Sequence, residues 1–574
     1  MIQLNRSPWL LLGLGGSAAL AACSGSDRGE LFGKANNSLV DPAVAQDAGD
    51  VPGAAPFTRP LRIPPVLAPS SSDDNSDSYR ISIRPGLAQM KAGAQTPIVG
   101  FNGVSPGPTL VATRGKTVQV TQTNDWSEDV TIHNHGHKVA AASDGHPTDY
   151  ITPGASKVYT YPNDQRAGTY WYHDHAMDLT GPHVYQGLAG FYIITDPAEE
   201  ALGLPSGDHD LPLLLQDKTF NSDNSLAYEP DHRAGFFGDT AVVNGTTTPY
   251  LDVGTSKYRF RVLNGSNARP YFLKLQVRGS STAQPFQVIA SDGGLLAAPV
   301  ERTSLPIAPA ERYDIVVDFS KYPLGTQLDL INTAPAVAGF VSGGADWGDA
   351  EGAWEDADVE AWAGFGAADW DSFGGAGPGF GGPGFGGPRV GAARGGGPGA
   401  RFGWADGEGL DGPLQVPALT GLMEFVVTRS EADSSRVPSL LSSLQRLRAE
   451  DAVDTKQIVF RYDGSDWTLN DLTYDPERID LSSTLDQVYV WTLTNESPIP
   501  HPFHKHLSQF NVLDINGAAP PAYESGWKDT VMVPPLSTVR IVFKEETFTG
   551  TYVFHCHNLE HEDHGMMLQE GVVR

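Results

Sequence analysis

The stretch YVFHCHNLEHEDHGMM, residues 552–567, sets a single thiol, Cys556, between two imidazoles, His555 and His557, at the end of a run of strand-forming residues. Successive side chains of an extended strand point to opposite faces, so the imidazoles look one way and the thiol the other. Candidate partners for the thiol are His561, five residues on, Met566, ten residues on, and His501, which lies three before His504 and so has the opposite strand parity. One cysteine, two histidines and a weak axial methionine form the donor set of a blue-copper electron-transfer site. One short segment thereby faces two metal centres.

Working outward, the chain holds sixteen histidines, which scattered at random would give roughly half of one H-x-H pair; it has five. Four lie in strand-like contexts: His133/His135 in VTIHNHG, His173/His175 in TYWYHDH, His504/His506 in HPFHKH, and His555/His557. Each aims two imidazoles at one point. Together they offer more nitrogens than a single metal takes, which implies a cluster. The fifth pair, His135/His137, crosses Gly136, where the strand is expected to end, so His137 is expected at the surface or behind the ligands.

The residues between these pairs are of strand type. TVQVTQTN, SKVYTYP, GFYIITD, YRFRVLNGS, RYDIVVDF, QVYVWTLTN and VRIVFKE alternate in polarity and are broken by Gly, Pro, Asn and Asp, which predicts an all-β chain. Its 574 residues suffice for two to four domains. From about Val337 to Gly412 the rhythm stops: an acidic stretch with Trp347, Trp354, Trp362 and Trp370 gives way to GFGGP-type repeats with no Met, His or Cys. It reads as a disordered insertion. Strand-like residues resume at Met423–Val427, so the insertion is expected to interrupt a domain. Residues 431–455 read as a linker with one short helix.

Residues 1–22 carry one positive charge, Arg6, an apolar run from Trp9 to Leu14 and then small residues, the form of an export signal too short to span a bilayer. Leu20-Ala21-Ala22-Cys23 resembles the bacterial lipobox, so Cys23 is expected to be acylated and to anchor an exported protein in the cell envelope, at the periplasm or outer membrane. Residues 23–78, rich in Ala, Pro, Ser, Asp and Gly, are expected to be a disordered tether. Cys23 and Cys556 lie in contexts too different for a disulfide. Acidic residues outnumber basic ones 68 to 39, a net charge of −29, which argues against a nucleic-acid partner and for a cationic or neutral one.

The four histidine segments, ending in H-C-H-x3-H-x4-M, resemble the copper-binding motifs of the multicopper oxidases. WYHDHAM, GLAGFYIITD, VNGTTTPYLDV, YRFRVLNGSN and GWKDTV extend the likeness to the bacterial three-domain branch of spore-coat laccases, bilirubin oxidases and periplasmic cuprous oxidases. The resemblance implies three consecutive cupredoxin-like Greek-key β-sandwich domains, at 79–200, 205–430 and 456–574, with a cluster between the first and third. It implies four copper ions. Type 1 copper would be held by His501, Cys556, His561 and Met566, type 2 by His133 and His504, and the type 3 pair by His135, His173, His175, His506, His555 and His557. Asp144 and Glu560 match positions that relay protons during O2 reduction.

The implied activity is four-electron reduction of O2 to water, fed by one-electron oxidation of a small donor near His501 or His561, whose imidazole edges face the surface in this family. Cuprous oxidases of the branch carry an Asp and a Met just upstream of the first type 1 histidine, where this chain has Ser497 and Ile499, and a methionine-rich insertion. Soft Cu(I) prefers thioether sulfur. The expectation is therefore laccase-like oxidation of phenols, aromatic amines or tetrapyrroles by a monomer, with metal oxidation for copper tolerance as the alternative. A copper nitrite reductase lacks histidines on both sides of its cysteine, and a non-enzymatic copper store would consume no O2.

Overall fold

In the computed structural model, the described residues are 56–574 apart from 232, 335–415 and 498. The export signal, Cys23 and the 337–412 insertion lie outside them. Among the described residues no helix is long and apolar enough to cross a membrane.

Six sheets pair into three sandwiches, each closed over one apolar core. The first sets a five-stranded sheet against the four strands Gly107–Thr113, Ile132–His135, Gly168–Asp174 and Ala189–Thr195. Where a strand has one face in the core the alternation is plain: in Thr117–Asn124 Val118, Val120, Gln122 and Asn124 are buried and the residues between them are not. Gly168–Asp174 is instead buried throughout, because its outer face meets the other two sandwiches. Trp171 sits at that junction with Leu214, Leu263 and Ala310 of the second sandwich and Leu559 of the third.

The same topology recurs three times. In each sandwich an early strand runs parallel to a later neighbour: Ser76–Ala88 beside Thr117–Asn124, Asp210–Phe220 beside Lys257–Asn264, and Asp454–Tyr462 beside Val488–Asn495. Each facing sheet holds one parallel pair too, as in Leu481–Thr484 beside Met567–Val573. Parallel neighbours require a crossover between the sheets, which is the Greek-key signature here. Gln327–Asn332 and Gly421–Arg429, the strands that bracket the undescribed residues 335–415, are hydrogen-bonded neighbours in one sheet.

Two expectations need correcting. Residues 57–72, read as part of a structureless tether, lie along the first two sandwiches: Leu61 N donates to Tyr250 O, Leu67 N donates to Thr109 O, and Leu61, Ile63 and Leu67 pack against their cores. Scattered apolar residues in a Pro-rich segment are enough to dock it without any periodicity. The linker forms no α-helix, only a 3-10 turn at Ala449–Asp451. Its backbone is committed elsewhere, with Arg436 N donating to Gly203 O and Leu441 N to Ala297 O.

Candidate metal centre

Strand pairing assembles the histidines. Ile132–His135 pairs antiparallel with Gly168–Asp174 so that His133 faces His173, and His501–Lys505 pairs with Gly550–Cys556 so that His504 faces His555. These two edges, one from each end of the chain, meet with their imidazoles buried. Three groups result: His175, His506 and His555; His135, His173 and His557; and His133 with His504, which shares His135. The Nε2 atoms of His175, His506 and His555 form a triangle with every edge 3.3 Å. The His133 and His504 Nε2 atoms are 3.4 Å apart.

The outer nitrogens show which way these rings are protonated. Nδ1 of His133, His173, His504 and His555 donates to the carbonyl oxygens of Asp144, Asp174, Asp529 and Cys556, at 2.6, 2.7, 2.7 and 3.1 Å. His506 Nδ1 lies 2.7 Å from Asp144 Oδ2. His135 is reversed: its Nε2 faces Asp529 Oδ1 at 3.1 Å, leaving Nδ1 buried and without a hydrogen bond. In these six rings the inward nitrogen therefore presents a lone pair. Burial, reinforced by neighbouring imidazoles, pushes the pKa of His133, His135, His175, His504, His506 and His557 well below the usual value, and burial takes His173 to about 3. Lone pairs 3.3 Å apart repel unless a cation lies among them, and that spacing matches metal–nitrogen bonds of about 2.0–2.1 Å at tetrahedral angles. The donor set fits a cluster of imidazole-binding metals. Trp171 walls it, stacked on His173 at 4.3 Å between ring centres.

On the other face of the last strand, Cys556 Sγ lies 3.4 Å from His501 Nδ1 and 3.6 Å from His561 Nδ1. Met566 is fully buried in the same core, and its carbonyl accepts from Cys556 N. His561 is placed by the five-residue helix Leu559–Asp563, which Asn558 caps. Burial pushes the thiol pKa far up, so a thiolate here needs a cation beside it. A thiol with two imidazoles suits copper.

Both outer edges of this site are closed, contrary to the family expectation of surface-facing imidazoles. His501 Nε2 lies 2.9 Å from Ser497 Oγ, whose own hydrogen goes to Ile499 O at 3.1 Å. His561 Nε2 donates to Arg233 O at 2.9 Å. Neither ring has solvent exposure.

The carboxylates divide differently from expectation. Asp144 touches the cluster through His506 and His133, and burial raises its pKa. Glu560 does not reach it: its carboxylate accepts from Tyr228 Oη, Asn267 Nδ2 and Phe236 N. The cluster's second carboxylate is Glu562, which sequence reasoning missed, with Oε1 3.2 Å from His175 Nδ1 and Oε2 3.0 Å from His555 Nδ1. His137 is not at the surface but buried among Tyr161, Tyr170 and Tyr192 with its pKa held at about 3 by burial, because Gly136, at φ +84°, turns the chain into the core. Sequence reasoning also missed Asp529 and its partner Arg312, whose Nη1 and Nη2 contact Asp529 Oδ1 and Oδ2 at 2.6 and 2.5 Å.

Comparison with known proteins fits this geometry. Residues 82–199 and 448–572 match two multicopper oxidase family models. The chain is 32% identical to a bilirubin oxidase of Albifimbria verrucaria over 89% of its own length and 80% of that protein's. It is 30% identical to a laccase of Bacillus subtilis, covering 89% of this chain and 97% of the laccase. A variant of the McoA multicopper oxidase of Aquifex aeolicus superposes with a TM-score of 0.71 at 30% identity, over 90% of this chain and all of that one.

Proposed function

The chain belongs to the multicopper oxidase family and is a copper-dependent oxidoreductase, and from that premise we propose that it is a laccase-like enzyme that oxidises phenols, aromatic amines or tetrapyrroles and reduces O2 to water. Four coppers are proposed: type 1 at His501, Cys556, His561 and Met566, type 2 at His133 and His504, and a type 3 pair at His135, His173 and His557 and at His175, His506 and His555. Copper bound there would supply one-electron redox chemistry at the thiolate site and four-electron reduction of O2 at the cluster.

The chain's own part is wiring, orientation and protons. Cys556 is covalently continuous with His555 and His557, and those two imidazoles belong to the two different three-histidine groups. This is the observation that carries the reading. Asp144 and Glu562 orient imidazoles from the first and third sandwiches together. Asp144 Oδ1 is buried without a hydrogen-bond partner, and with the pKa raised by burial it is the oxygen suited to hold a proton for the cluster. The role first expected of Glu560 passes to Glu562.

The cuprous alternative finds little sulfur. The chain has seven methionines, none between 337 and 412, and Met90, Met423, Met532, Met566 and Met567 are buried. Ser497 and Ile499 offer a hydroxyl and a hydrocarbon beside His501 instead of carboxylate and thioether. For the segment beyond the described residues, the lipobox supports a lipid anchor at Cys23 in the cell envelope.

The test is copper analysis with visible absorption and O2 uptake on a phenol, an aromatic amine, bilirubin and Cu(I) side by side. Four coppers, an intense blue band that Cys556→Ser abolishes, and turnover of the organic donors are expected. A colourless copper-replete protein, or Cu(I) as the one donor consumed, would refute the proposal.

A further inference from the structure

The closed edges of the thiolate site raise the question of where electrons enter. Granting the oxidase reading above, no donor touches His501 or His561, since both rings are fully buried and their outer nitrogens are bonded to Ser497 Oγ and Arg233 O. One side chain covers them both. The Trp467 indole lies with its ring centre 4.8 Å from that of His501 and 4.7 Å from that of His561, and its Nε1 donates at 3.1 Å to the same Arg233 carbonyl that takes His561.

Trp467 is itself buried, but its cross-strand partner is not. In the hairpin of Asp454–Tyr462 and Trp467–Leu469, Tyr462 stands opposite Trp467, with ring centres 5.0 Å apart, and is partly exposed. Directly opposed aromatic pairs on a strand ladder hold each other in place. A continuous line of packed rings thus runs from solvent through Tyr462 and Trp467 to both imidazoles.

We infer that Tyr462 and Trp467 form the electron-entry path, with a planar aromatic amine or phenol stacking on the exposed Tyr462 ring. One electron leaves the donor's π system for the thiolate site in its oxidised form; an amine departs as its radical cation, and a phenol releases its proton to solvent and departs as the phenoxyl radical. No bond forms to the protein, and both side chains end unchanged. Cationic aromatic amines are the favoured class. Among the described residues, the charges that bear most on the Tyr462 phenol are those of Asp231, Asp463, Asp466 and Arg233, while the neighbouring Arg461 is paired with Asp471 and Glu496, a balance that attracts cations and repels anions.

The experiment uses copper-replete enzyme and N,N-dimethyl-p-phenylenediamine. Anaerobic bleaching of the blue band is followed by stopped flow, and binding of the amine to fully reduced enzyme, where it has nothing to reduce, by calorimetry. Tyr462→Leu is expected to slow bleaching about tenfold and weaken binding, Tyr462→Phe to stay within about twofold of wild type, and Trp467→Leu to slow bleaching with binding kept. The blue band and its potential should be unchanged in all three. Wild-type bleaching and binding in Tyr462→Leu would overturn the path, as would a Trp467→Leu defect that appears only with a shifted band or potential. Absence of a blue band in the wild type would instead sink the oxidase reading itself.

Discussion

Arg312 of the second sandwich holds Asp529 of the third by both guanidinium arms, Nη1 to Oδ1 at 2.6 Å and Nη2 to Oδ2 at 2.5 Å, with neither side chain more than 1% exposed. The remaining donors of Arg312 go to the carbonyls of Thr169, Ala310 and Asp292. Asp529 in turn faces His135 Nε2. The sandwich that provides no ligand thus fixes the tautomer of one. Arg312→Leu strands a buried carboxylate, and a loss of about 3–5 kcal/mol in urea unfolding is expected. Asp529→Asn should cost less, since Thr530 Oγ1 still lies 3.0 Å from His135 Nε2. Both should lower bound copper, measured by metal analysis.

Glu562 and Glu560 should separate cleanly. Glu562→Gln replaces one of the carboxylate oxygens facing His175 and His555, and kcat is expected to fall about 10²–10⁴-fold, the range of a lost general acid–base group, with the fold intact by circular dichroism. Glu560→Gln touches Tyr228, Asn267 and Phe236 instead. Its expected cost is about 1–3 kcal/mol of stability with kcat little altered, measured by thermal unfolding and O2 uptake.

Copper removal should destabilise the chain. Converging neutral imidazoles have no internal partner for their lone pairs, so metal binds the folded state and not the unfolded one. The melting temperature of chelated protein is expected to be lower and to climb with added copper, by about 1.4 kcal/mol per site for each tenfold rise in free ion above the dissociation constant. Scanning calorimetry across a copper titration measures this.

His183 gives stability a pH slope. Its Nδ1 lies 2.8 Å from Asp174 Oδ2 and its Nε2 3.3 Å from Glu128 Oε2. Burial opposes the charged ring, but the two carboxylates outweigh it and lift the pKa to about 9. The unfolded imidazole titrates near about 6.5, so the folded chain holds the proton more tightly. That stabilisation is complete below about pH 6.5 and is lost as pH rises through about 9, with a fall of up to about 3 kcal/mol. Urea unfolding across the window should show it, and His183→Gln should flatten it.

What is legible in the sequence follows from strand geometry. A period of two fixes which side chains share a face, so the H-x-H pairs and the opposed Cys556 can be read from residue order alone. The helix that follows obeys another period. At about 100° per residue, Glu560 and Glu562 point to nearly opposite sides, and adjacency to His561 says nothing about which one meets the imidazoles. The break in the strand at Gly136 hides the inward course of His137. Arg312 sits far from every histidine motif, and only the packing of the sandwiches brings it to Asp529. Its neighbourhood also explains Gly136: a Cβ there would lie 2.3 Å from Asp529 Oδ2 and 3.0 Å from Arg312 Nη2.

Each three-histidine group draws on both the first and the third sandwich, His135 and His173 with His557, and His175 with His506 and His555. The ribosome must therefore have passed His557 before both groups are complete. Until His555 and His557 emerge, the nascent protein carries two of the three histidines of each group, and neither nest can close on a metal.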